Sequence, residues 1–221
     1  MAKQARGICS YCGDEVVKQS VEKHLAKCAP RQAAIAAAAG ESETLVHLRA
    51  EPTHSKKFFL DLEVRGSATL KDLDHYLRAI WLECCGHLSE FNYTAWDDSD
   101  IPRTKKLSAA FKEGDSLVHL YDMGSTSETQ LRTISVRTGI PTTPNPMVLL
   151  VRNKMPESEC ELCGVEATLY CTECLMEGEW VTLCEDCWEK HGHTKDYGPA
   201  ELINSPRLGM CGYGGPATPP Y

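Results

Sequence analysis

The sequence predicts an α+β fold: a small mixed sheet packed on a helix and flanked by two small cysteine-rich modules. Three observations predict it. TLVHLRAE and FFLDLEV alternate with period two and are rich in Val, Phe and Leu, as strands are. Between Thr69 and Cys85, the residues Leu70, Leu73, Tyr76, Leu77, Ile80, Trp81 and Cys84 recur at three- and four-residue steps, the stripe of an amphipathic helix. Cysteine pairs separated by two residues cluster towards both ends of the chain.

Three segments follow from this pattern. In residues 1–40, CSYCGDEVV reads as a tight knuckle and SVEKHLAKC as a short helix with Ser20 as its N-cap. Pro30 should interrupt that helix, and RQAAIAAAAG, almost without large side chains, reads as a semi-helical linker ended by Gly40. Residues 42–150 form the α+β domain: the two strands, the amphipathic helix, and further strands in HLSEFNY, SLVHLYD and ETQLRTISVR. Within it DDSDIPRTKK is an exposed loop and LSAAFKEGD a helical turn or two. The proline cluster IPTTPNP marks a boundary or an edge. The third module covers residues 156–215, and the Gly- and Pro-rich stretch from Met210 to Tyr221 reads as a loop or tail without packing of its own, mobile from Ala217 onward.

A hydrophobic share of 42% with 24% charged residues is that of a globular chain rather than a disordered or membrane one. The longest aliphatic run, Met147 to Val151, is far too short for a membrane span. The opening MAKQARGICSYCG has a cysteine pair where a secretory signal needs its apolar stretch, so a reducing cytoplasmic setting is expected. There, clustered cysteine pairs read as metal ligands rather than disulfides. Charge is uneven: residues 1–40 carry six Lys or Arg against three acids, residues 151–221 five against 12. Only the N-terminal arm suits a phosphate backbone.

Cys9-x2-Cys12, eleven residues, then His24-x3-Cys28 is the arithmetic of one tetrahedral zinc site. The two-residue gap aims both thiolates of a turn at one ion, and a His and a Cys four apart share a helix face. A segment this short would take its folding free energy from the metal. The C-terminal array runs Cys160-x2-Cys163, Cys171-x2-Cys174, Cys184-x2-Cys187 and His191-x-His193, eight ligands for two ions. Sequential and interleaved pairing are both open; interleaving is preferred, giving Cys160, Cys163, Cys184 and Cys187 at one site and Cys171, Cys174, His191 and His193 at the other. His191 and His193 point apart on a helix, so the helix must end near Gly192, with Cys211 as the substitute ligand. Tyr170, Leu183 and Trp188 would make the small core between the ions. Four protein ligands, mostly thiolates, read as structural rather than hydrolytic zinc. Neither a P-loop, nor a dinucleotide fingerprint, nor a nucleophile elbow occurs.

The N-terminal set resembles short Cys-Cys-His-Cys fingers, and residues 160–193 resemble the B-box and, less closely, the MYND and HIT fingers. The stretch from Leu45 to Val136 resembles the pRiA plasmid ORF-three-like family, on ATLKDLDHYLRAIW, GHLSEFNY and LSAAFKEGDSLVHLYDMGSTSETQL. NSPRLGMCGYGG looks like the end of versions of that family that carry a cysteine-rich module. The resemblance implies a compact α+β domain and names no substrate. Met123, Ser127 and Thr129 stand where the family tends to have Phe, Trp and His, which removes weight from an enzymatic role.

Outside the arrays, Asp122 and His119 read either as a turn-capping carboxylate and an ordinary strand histidine or as an acid–base pair. Cys84 and Cys85 read as one core and one rim thiol, and Trp81 as core. The expectation is therefore a non-catalytic interaction (adaptor) protein carrying three Zn²⁺ ions and binding a protein partner. A nucleic-acid-binding accessory of a plasmid or mobile element, acting through residues 1–40, is the alternative, and an enzyme using Asp122 and His119 the third reading.

Overall fold

The computed structural model describes residues 4–193 and 198–221. The N-terminal module opens with a hairpin of β1 (Arg6–Cys9) and β2 (Glu15–Val17). Its knuckle closes as Cys9 N–H donates to Asp14 O (3.0 Å) and Gly13 N–H to Cys9 O (2.9 Å), with Gly13 at the positive φ of 76° that glycine tolerates. Helix α1 (Val21–Leu25) ends before Cys28, and α2 (Ala29–Ala37) begins afresh with Pro30 in its first turn. A proline there loses no helical hydrogen bond, so Pro30 opens the second helix, the break falls before it at residues 26–28, and the alanine run is helical to Ala37. Ser20 precedes α1 without a side-chain capping bond.

The central elements are β3 (Glu43–Pro52), β4 (Leu60–Arg65), α3 (Leu70–Leu77), β5 (Ser89–Asn92), α4 (Leu107–Ala110), β6 (Ser116–Tyr121), β7 (Ser127–Gly139) and β8 (Met147–Asn153). The α+β class holds. The sheet is larger than the small mixed one expected: eight strands, order β2-β1-β8-β4-β3-β7-β6-β5, with every pairing antiparallel. Chain reversals after each strand favour antiparallel neighbours, because a parallel pair requires a long crossover. Two of the extra strands come from the N-terminal module, since β1 pairs with β8 in the register Gly7↔Asn153, Ile8↔Arg152 and Cys9↔Val151. The proline cluster is thus the turn into β8, an interior strand, rather than the edge of a domain.

Helix α3 starts at a reciprocal cap: Asp72 Oδ2 accepts from Thr69 N–H (2.8 Å) and Asp72 N–H reaches Thr69 Oγ1 (3.4 Å). It continues as a π-helical turn, Arg78–Leu82. The predicted stripe is buried: Leu70, Leu73, Tyr76, Leu77, Ile80 and Trp81 pack on Leu48, Leu62, Val64 and Leu131 of the sheet. The polar residues of β4 are not left in solvent. Asp61 and Glu63 are buried, and Arg31 of α2 reaches Glu63 (3.0 Å) while Arg49 binds both oxygens of Asp61. A second core of Cys9, Val16, Val21, Leu25, Cys28, Phe59, Leu150 and Val151 joins the N-terminal module to the sheet. That module does have apolar packing, borrowed from its neighbour.

The C-terminal module contains β9 (Leu169–Cys171), α5 (Thr172–Met176), β10 (Thr182–Leu183), α6 (Glu185–Trp188) and β11 (Pro199–Glu201), its three strands ordered β10-β9-β11. The expectation of an unpacked tail is corrected here. Tyr213 and Ala217 are buried, Arg152 donates to Ala217 O (2.9 Å), and the Tyr221 ring lies 5.6 Å from Tyr76. Ser205 Oγ donates to Trp81 O (2.6 Å), and the fully buried Arg207 ties the segment to β6 through Asp122 (2.7 Å). These polar anchors hold down a stretch whose composition reads as loop.

Candidate metal centres

Cys9, Cys12, His24 and Cys28 bring one ligand atom each to within 4.8 Å of one another. The knuckle between β1 and β2 presents the first two, α1 presents His24, and Cys28 is the residue that caps α2, so His24 and Cys28 converge across a helix break rather than along one helix face as expected. Cys9 Sγ lies 4.0 Å from Cys28 Sγ, and Cys12 Sγ 3.5 Å from His24 Nε2. Zinc–sulfur bonds of about 2.3 Å and zinc–nitrogen bonds of about 2.0–2.1 Å give tetrahedron edges of about 3.8 Å between sulfurs and about 3.6 Å between sulfur and nitrogen. The spacing is that of ligands around an ion; a disulfide would need about 2.05 Å.

In the C-terminal module the same test selects the interleaved arrangement. Cys160, Cys163, Cys184 and Cys187 form one group and Cys171, Cys174, His191 and His193 another, each within 4.8 Å. Cys163 Sγ is 3.7 Å from Cys184 Sγ, and Cys174 Sγ is 3.1 Å from His191 Nε2 and 3.3 Å from His193 Nδ1. Helix α6 ends at Trp188, and Gly192 turns the chain at φ 91°, which lets two histidines only two residues apart face the same point. His193, not Cys211, stands in this group. Leu183 is buried in the apolar cluster between the cysteines with Trp188 at its edge, whereas Tyr170, also buried, stacks instead on Trp180 (5.0 Å).

Electrostatics set the state of the thiols. Burial raises the Cys160 thiol, but N–H groups of Cys184, Leu162 and Cys163 outweigh it and hold it down at about 6. The Cys163 thiol beside it, with burial, pushes Cys187 up to about 12. Burial and the adjoining Cys171 raise Cys174 to about 11. Crowded thiols cannot all ionise beside one another, so a cation is what would convert each group into a thiolate cage.

The remaining candidates separate. His119 is completely buried and its Nε2 bonds to Asp74 (2.8 Å), whereas Asp122 bonds to Arg207. They are not an acid–base pair. Cys85 is exposed, but Cys84 is only half-buried at the margin of the core, with Arg207 Nη2 3.3 Å from its sulfur, and Trp81 is core. Arg207 and His87 carried no sequence signal: a buried arginine in a Gly- and Pro-rich segment breaks no pattern that periodicity can detect.

No protein-family model matches the chain, and no curated protein does. Among solved structures the chain is similar to a protein of unknown function from Methanosarcina mazei Go1, at 18% identity and a TM-score of 0.39, over 49% of this chain and 67% of that one. Three groups with the ligand number and spacing of closed metal sites thus stand on an α+β body. Among the described residues no helix is long and apolar enough to cross a membrane.

Proposed function

We propose that the protein is a non-catalytic adaptor of the reducing cytoplasm in which one Zn²⁺ occupies each of the three Cys/His tetrads. The observation that carries this reading is that every tetrad closes with four protein donors, which leaves no vertex for a water nucleophile. The acidic C-terminal module would then present the partner surface: Leu162, Val165, Met176 and Trp180 are exposed large apolar side chains around its knuckles and α5. A basic protein face with apolar anchors fits it. Native mass spectrometry of the full chain before and after chelation tests the reading: the tetrads should account for three zinc ions, and none there refutes it.

The central domain is proposed to belong with the pRiA plasmid ORF-three-like family. Support comes from the quoted segments, which supply α3, β5, α4 and β6 in the order the resemblance implies. A second reading, nucleic-acid binding through the N-terminal module, draws on a groove of 920 Å³ lined partly by Arg6, Lys18, Lys56, Lys57 and Lys154. Its field is reduced because Arg6 and Lys154 pair with Glu15, and Lys18 with Glu51. A salt-dependent gel shift lost in Cys12→Ser would favour this second reading.

A further inference from the structure

Beside the end of β6 a fourth group assembles from two distant parts of the chain. Cys84 and His87 follow the π-helical turn and Cys211 comes from the C-terminal segment; their ligand atoms lie within 4.8 Å of one another. Asp122 Oδ2 is 3.5 Å from His87 Nε2 and 3.5 Å from Cys211 Sγ. With metal–ligand bonds of about 2.0–2.3 Å, tetrahedral edges between such atoms are about 3.3–3.5 Å.

We propose that Cys84, His87, Cys211 and Asp122 form a further binding site for a thiophilic divalent cation, with Arg207 as its charge-balancing neighbour. The proposal goes beyond the three tetrads and stands whether or not they hold metal. Three independent features support it. His87 Nε2 is shielded from solvent and makes no hydrogen bond, the state of a ligand nitrogen whose partner is an ion. Asp122 (φ 66°) and Cys211 (φ 50°) are two of the five non-glycine residues with positive φ among the described residues, and both aim their side chains here. Charge closes as well. Two thiolates and a carboxylate carry three negative charges, which a divalent ion and the Arg207 guanidinium would cancel. Arg207 Nη2 already lies 2.7 Å from Asp122 Oδ2, 3.3 Å from Cys84 Sγ and 3.6 Å from Cys211 Sγ. The second lone pair of Oδ2 remains for the ion. The mixed sulfur, nitrogen and oxygen donor set distinguishes this site from the tetrads.

The test uses the full-length, reduced protein loaded with Zn²⁺, dialysed, and counted by native mass spectrometry and elemental analysis. Cys211→Ser should bind one equivalent fewer than wild type, and His87→Gln likewise, while circular dichroism stays unchanged because Cys211 is exposed and His87 lies at the rim. Asp122→Asn should weaken that equivalent at least tenfold. The comparison with wild type isolates this site: loss of the tetrad ions would lower all variants equally and leave the difference of one. Equal ion counts in wild type, Cys211→Ser and His87→Gln overturn the proposal.

Discussion

Cys9, the first thiol of the N-terminal tetrad, is the register partner of Val151 on β8, so this tetrad is built on the edge of the main sheet. Two residues earlier, a Cβ on Gly7 would meet Arg152 O at 2.6 Å, Val151 Cγ1 at 2.7 Å and Phe59 Cζ at 2.8 Å. Gly7→Ala should therefore push β1 off β8 and cost about 1–3 kcal/mol, the range for overpacking. Hydrogen exchange should show faster exchange in β1 and β2 with α3 protected; unchanged exchange in β1 would refute the docked arrangement.

Interleaving makes a stoichiometric prediction. Cys163→Ser and Cys184→Ser should each remove the same zinc ion, so the double variant loses no more than either single one. Cys163→Ser combined with Cys171→Ser should lose two. Sequential pairing predicts the reverse, and ion counting separates them.

Asp74 gathers Arg78 (2.9 Å), Ser89 Oγ (2.6 Å) and His119 (2.8 Å) at a buried point. Asp74→Ala should cost about 3–5 kcal/mol, the usual range for breaking a buried ion pair, measured by urea denaturation. Little change in the midpoint would mean the network carries no stability.

The same network makes stability fall in acid. Burial holds His119 below its ordinary 6.5, so the unfolded chain takes up that proton first as pH drops. Burial opposes ionisation of Asp74, but bonds from His119 and Ser89 and the charge of Arg78 hold its carboxyl below the usual range. The His119 contribution is complete above about pH 6.5 and declines below it, and that of Asp74 follows below about pH 4. Melting temperature should drop from pH 7 to pH 4, and less steeply in His119→Asn; equal slopes would contradict the assignment.

At the helix start, Thr69→Ala should remove the cap on Asp72 N–H and destabilise by about 1 kcal/mol, read from thermal unfolding. Trp81→Ala, by emptying a fully buried site, should cost about 3–5 kcal/mol. A smaller loss at Trp81 than at Thr69 would overturn the description of α3 as the core helix.

Where structure depends on local spacing, the sequence was sufficient. Leu70 to Trp81 carry the period of their buried stripe, and the gap between Cys9 and Cys12 carries the N-terminal knuckle, because a turn places its two thiols irrespective of the rest of the fold. Helix α6 ends at Trp188, earlier than the expected stop near Gly192, so both His191 and His193 lie on the turn beyond it. How distant segments meet is fixed by the assembled fold alone. The docking of β1 on β8, the pairing of buried Glu63 with Arg31 of α2, and the meeting of Arg207 with Asp122 and of Cys84 with Cys211 join residues that no periodicity relates. Such contacts depend on which surfaces remain uncovered once the local elements have formed, and that is a property of the assembled sheet.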